Sequence, residues 1–182
     1  MKKEIKNPLS HMLQGLTHWM AYQNERNHHI KVIESDVVFS AVDMLRGILP
    51  NDYSLEREVS YRELGIADSR NRIDLGIKHN DSYICLIEFK LADATNGGAK
   101  SDIKKLSKVR AQVHEDIDYL VVILFRKLTD FLSPKGLVGN NGQATRKVVN
   151  IGECKVKVRR VCNSFTSKES KKSMKTICLE LT

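Results

Sequence analysis

The chain has 182 residues, 41% hydrophobic and 29% charged, a balance that supplies a core for one domain and excludes a disordered chain. No apolar run approaches the roughly 18 residues of a membrane span; the longest, "YLVVILF" at 119–125, fits a buried strand. Net charge is +8, and it is uneven: residues 1–132 carry 19 basic and 19 acidic side chains, whereas residues 133–182 carry 11 and 3, which points to a polyanionic partner, nucleic acid first.

In chain order, the basic N-terminus lacks the continuous apolar stretch of a signal peptide, so a cytosolic (cytoplasmic) location with no membrane association is expected. Residues 8–28 predict a helix, with Pro8 in its first turn and Leu9, Met12, Leu13, Leu16, Trp19 and Met20 at helical spacing. The "HH" pair at 28–29 has no HxH or HExxH spacing and reads as helix surface or loop. A second helix is predicted over about 30–49, with Ile30, Ile33, Val37, Val38, Ala41, Leu45 and Ile48 on one side. Period-two segments follow at 55–63, 72–78 and 82–91. After a loop at 92–100, residues 100–116 predict a helix capped by Ser101, and 118–125 a buried strand. The remainder predicts a loop at 133–143, a strand at 145–162, a polar hairpin or loop at 164–173 and a strand at 175–182. The four cysteines are widely spaced with no CxxC pair, so no zinc site or disulfide framework is expected, and Cys85 reads as core.

The segment "DSYICLIEFKLA" (81–92) places Glu88 and Lys90 where a buried strand should continue apolar. Alternation puts Cys85, Ile87 and Phe89 on one face and Ile84, Leu86, Glu88 and Lys90 on the other, and in 72–78 sets Ile73, Leu75 and Ile77 opposite Asp74 and Gly76. A three-residue hairpin loop at 80–82 sets Asp74 directly across from Glu88. Two carboxylates in reach of each other need a counter-charge, and hard oxygen ligands suit Mg²⁺ or Mn²⁺. Glu34 falls three and four residues before Val37 and Val38, on the apolar stripe, where an acid needs an internal answer. Asp36 lies on the exposed side and receives no role.

"RID" (72–74) followed by "IEFK" (87–90), with Glu34 on an upstream helix and a basic helix downstream, resembles the PD-(D/E)xK nuclease superfamily over roughly residues 30–126. Ile73 stands where the family often has proline. Gln112 stands where the lambda-exonuclease-like branch has a glutamine, with Asp116 in place of that branch's tyrosine. The resemblance implies an α/β, restriction-endonuclease-like mixed β-sheet core flanked by helices, in a single nuclease-like domain with a basic C-terminal β extension over about 133–182. It implies a metal-dependent phosphodiester hydrolase acting on DNA more than RNA. Asp74, Glu88 and the backbone carbonyl of Phe89 would hold Mg²⁺ or Mn²⁺, Glu34 a second ion or the water it carries, and Lys90 would orient the attacking water.

Nucleic-acid contacts are expected from Lys100, Lys104, Lys105 and Lys108 on the downstream helix, and from Lys155, Lys157 and Arg159 on one face of the later strand, opposite Val156, Val158 and Arg160. No aromatic residue interleaves these lysines, so base stacking is not indicated. Cutting both strands would favour a homodimer. Two other classes stay open: a catalytically silent nucleic-acid-binding module, and a small regulatory protein whose basic tail binds an acidic partner.

Overall fold

Apolar residues at helical spacing build two amphipathic helices that share one face of a sheet. In the computed structural model, which describes residues 2–26, 32–67, 70–92, 97–113, 116–125, 148–164 and 174–182, these are α1 (Lys3–Arg26) and α2 (Glu34–Arg46). α1 begins five residues before the predicted start, so Pro8 lies inside it rather than in its first turn. Leu9, Met12, Leu13, Leu16 and Met20 are buried, as their spacing predicts, together with Ile5. α2 is shorter than predicted: Ile33 and Ile48 fall outside it and are exposed. Asp36 does have a role there, since its carboxylate accepts the Ile33 N–H at 3.0 Å and satisfies a donor at the helix start.

The strands are β1 (Tyr53–Ser60), β2 (Arg72–His79), β3 (Ser82–Ala92), β4 (Asp118–Phe125), β5 (Val148–Ile151), β6 (Cys154–Asn163) and β7 (Lys175–Leu181). They form one mixed seven-stranded sheet in the order β1-β2-β3-β4-β7-β6-β5. β3 and β4 are parallel, and α3 (Gly97–Gln112) bridges them; the other neighbours are antiparallel. The architecture is therefore mixed α/β, with α1 and α2 on one face and α3 on the other. β4 is central, and every residue after Asp118 is buried, as a strand covered on both faces requires. No described helix is long and apolar enough to cross a membrane.

Three departures from the predicted strands matter for the site. The single strand expected over 145–162 is a hairpin, because Gly152 (φ +62) opens a two-residue turn between Ile151 and Cys154. The β2–β3 connection is a two-residue turn, Asn80 and Asp81 at φ 48 and 64, instead of a three-residue loop. A bulge then shifts the register between Ile77 and Lys78, which restores the expected pairing beyond it: Leu75 faces Ile87 and Gly76 faces Leu86. The bulge also turns Ile84 to the α1–α2 side with Cys85, away from Leu86.

α3 starts at Gly97, so Ser101 is inside it and does not cap it. Cys85, Cys162 and Cys178 are buried and all four thiols are free, in keeping with packing. The predicted loop at 133–143, most of the one at 164–173, the histidine pair at 28–29 and the outer ends of several predicted elements lie outside the described residues.

Candidate active site

β1 and β2 turn over at the same rung. Arg57 and its partner Leu75 face α2, whereas Val59 and its partner Ile73 pack in the core beneath α3. Between them the ladder skips Glu58 and Asp74, and Glu58 adopts φ 57, a left-handed conformation that a non-glycine residue rarely holds. The expected shared face of Ile73, Leu75 and Ile77 therefore fails at Ile73. The β2–β3 ladder ends at Leu75, so Asp74 pairs through its side chain instead: its Oδ2 accepts the Phe89 N–H at 2.7 Å. Asp74 is thereby fixed against the main chain of the residue between Glu88 and Lys90. The Phe89 ring is buried under α1 and α2 and anchors β3.

Glu88 points to the α3 side and its side chain is only 4% exposed, beside Lys105. Burial first, then the negative charge of Asp74, push its carboxyl up to about 8, although Lys105 pulls the other way. The Lys105 ammonium sits 2.5 Å from Glu88 Oε1 as an ion pair; the approach is not that of a well-directed hydrogen bond, and that oxygen is buried without a hydrogen-bond partner. Lys105, expected on the nucleic-acid surface, is thus turned inward in this state.

Lys90 is held from two sides. Its ammonium lies 2.8 Å from Glu34 Oε1 and 4.0 Å from Asp102 Oδ2. Burial acts to lower its pKa, but the hydrogen bond to Glu34 and the charges of Asp102, Glu34 and Asp74 outweigh it, and the group stays protonated. Glu34 Oε1 also accepts the Leu91 N–H at 3.3 Å, tying the start of α2 to β3. Glu34 is half-buried at the rim, less deep than its stripe position predicts.

Two residues missed by sequence reasoning belong to this cluster. Asp102 is the sole acid of α3, and burial raises its carboxyl pKa. It sits three residues after Ala99 and four before Leu106, both buried, so the stripe argument used for Glu34 finds it. Glu58 lines a groove of about 580 Å³ with Glu34, Asp74, Arg57 and Phe39. In that groove Arg57 stacks 4.0 Å above the exposed Phe39 ring. Nothing in the local sequence marks Glu58; its conformation does.

No family model, no curated protein and no solved structure matches this chain.

The remaining candidates lie apart from the acids. Lys100, Lys104 and Lys108 form an exposed row on α3. Lys104, Lys105, Lys108 and Gln112 line a second groove of about 500 Å³ with Tyr61, Ile66 and Asn71. Gln112 is exposed, and its amide donates to the Lys108 carbonyl at 3.4 Å. On β6, a register shift between Val158 and Arg160 moves Arg160 off the face of Val156 and Val158, to pair with Cys178. Arg159 is committed to an ion pair with buried Glu180. Lys157 pairs with Glu180, Glu180 with Leu120 and Leu120 with Ile87, so Lys157 is three strand spacings, roughly 14 Å, from the strand of Glu88. It also lies on the α1 side of the sheet, opposite the α3 row.

The carboxyl groups of Asp74 and Glu88, the latter with a buried Oε1 that already faces a cation, the Lys105 ammonium, fit a hard divalent cation in donor chemistry. As placed, no three Asp, Glu, His or Cys side chains among the described residues converge into one ligand set. Lysines occupy Glu88 and Glu34 instead.

Proposed function

We propose that this chain is a metal-dependent phosphodiester hydrolase, a nuclease acting on DNA more than RNA, built on a restriction-endonuclease-like core. The observation that carries the reading is that Asp74 accepts the N–H of Phe89, the residue between Glu88 and Lys90, and its charge acts on both of their side chains, while Glu34 of the preceding helix pairs with Lys90. The order helix, three strands, helix, strand across α2 to β4 supports it.

Asp74 and Glu88, with the Phe89 carbonyl, would hold Mg²⁺ or Mn²⁺, and Glu34 a second ion. When bound, such an ion lowers the pKa of water and neutralises charge building on a phosphate. The chain's own groups do the rest. Lys90, held by Glu34 and Asp102 and kept charged with the help of Asp74, would orient the attacking water and steady the negative charge of the pentavalent phosphate. Asp74 fixes the Phe89 main chain and with it the spacing of Glu88 and Lys90. The exposed row of Lys100, Lys104 and Lys108, on the helix that also carries Asp102 and Lys105, offers phosphate contacts.

The test is a cleavage assay on supercoiled, linear, single-stranded and branched DNA and on RNA, with Mg²⁺, Mn²⁺ or EDTA. Metal-dependent cleavage that is lost in Glu88→Gln and Lys90→Ala supports the reading; absence of cleavage on every substrate refutes it. One observation favours a second reading, a silent nucleic-acid-binding module: lysine ammonium groups already sit against Glu88 and Glu34. Salt-sensitive DNA binding without cleavage would select it.

A further inference from the structure

Lys105 differs from the other basic residues of α3. Lys100, Lys104, Lys108 and Arg110 are exposed, whereas the Lys105 side chain is 26% exposed and its ammonium reaches the buried Glu88. The same side chain lines the groove that also contains Lys104, Lys108, Asn71 and Tyr61. Lys105 therefore stands on the wall between the acid cluster and a basic groove, with a flexible four-carbon stem between its backbone and its charge.

Glu88 is buried, and the cation that stands against its Oε1 is the Lys105 ammonium. An ammonium and a divalent cation cannot both sit against Glu88 Oε1, because they compete for the same oxygen and repel one another. We propose that Lys105 is a placeholder cation: it occupies Glu88 Oε1 in the metal-free protein, leaves when a divalent cation takes Glu88, and then turns its ammonium into the groove to bind a nucleic-acid phosphate beside Lys104 and Lys108. The proposal rests on Asp74 and Glu88 being a cation site. It goes further in making metal and nucleic acid bind cooperatively through one side chain. A phosphate in the groove draws Lys105 off Glu88 and opens it to the metal, and by linkage the metal raises nucleic-acid affinity by the same factor.

The experiment is calorimetric titration of Ca²⁺ into wild type, Lys105→Met and Lys105→Gln, with and without a short DNA duplex, after thermal melts have shown which variants are folded. Lys105→Gln retains a hydrogen-bond donor toward Glu88 and serves if Lys105→Met does not fold. In wild type, DNA should tighten Ca²⁺ binding several-fold. In the variant, Ca²⁺ should bind several-fold tighter than to wild type without DNA, and DNA should tighten it further by less than in wild type. Unchanged or weaker Ca²⁺ binding in a folded variant overturns the proposal while leaving the nuclease reading intact, provided wild type still cleaves DNA with Mg²⁺. No Ca²⁺ binding to any form, with no cleavage by wild type, overturns both.

Discussion

The aliphatic chain of Lys90 lies against Gly98: a Cβ at residue 98 would clash with Lys90 Cε and come 3.2 Å from Cδ. The first turn of α3 is thus the seat on which the Lys90 ammonium is aimed at Glu34 and Asp102.

Gly98→Ala should separate position from fold. Alanine is the better helix former by up to about 1 kcal/mol, and the clashing atoms belong to a flexible side chain that can move aside. Stability should hold or rise slightly, while turnover falls by about 100-fold because the ammonium is displaced. Thermal melts and single-turnover cleavage check this; wild-type turnover would show that Lys90 does not need its seat.

Glu88 should make stability depend on pH when divalent ions are chelated. Its folded carboxyl is raised to about 8 against an ordinary value of 4.5, so between these values the unfolded chain has released a proton that the folded one keeps. Stability should therefore fall as pH rises through that window and level off above it. A shift of this size is worth several kcal/mol, at about 1.4 kcal/mol per pKa unit. Urea denaturation of wild type and Glu88→Gln across the window is the check. The variant should lose most of this slope and be the more stable protein at the alkaline end; parallel curves would mean Glu88 is ionised in the fold.

Glu34→Gln should cut cleavage strongly with little change in fold. The amide oxygen can still accept the Leu91 N–H, but the charge that holds Lys90 is gone. The pair is partly solvated, so the stability change should stay within about 1 kcal/mol. A variant that cleaves like wild type would make Glu34 a tether for α2 and nothing more.

Lys90→Ala should abolish cleavage and leave DNA affinity nearly intact, because one placed ammonium matters more to the transition state than to the ground state. Binding measured in Ca²⁺ beside Mg²⁺-dependent turnover distinguishes the two; a parallel loss of both would make Lys90 a binding residue.

The two basic groups lie on opposite sheet faces, so one duplex should engage one of them. Neutralising Lys104 and Lys108 should flatten the salt dependence of DNA binding by roughly 0.9 for each phosphate that is no longer neutralised, while removing the charges of Lys155 and Lys157 should leave it unchanged. A flatter slope only in the β6 variant would place the DNA on the α1 side. Arg159→Met should instead destabilise the protein, by up to about 3 kcal/mol, because it removes the guanidinium that is paired with the buried Glu180 carboxylate.

Local periodicity by itself determined the element order from α1 to β4, the buried character of residues 118–125 and the anomaly of Glu88 and Lys90 on an apolar strand, because those signals are carried within a turn or two of chain. It also led to the correct Leu75–Ile87 register for an incorrect reason, since a two-residue turn plus a bulge sums to the same offset as a three-residue loop. Asp102 was legible on the buried stripe of α3 and was overlooked. Only the tertiary structure decided the side-chain partners. Bulges and the rung at Glu58 and Asp74 reverse which face a side chain takes, and one extra residue is enough to do so when the period is two. That is why Ile84, Arg160 and Ile73 lie opposite to their expected faces. Lys105 reaches Glu88 because α3 docks across β3, and Arg159 reaches Glu180 across β6 and β7. Such long-range pairings depend on how packed layers sit to within an ångström or so, and no spacing along the chain carries that information.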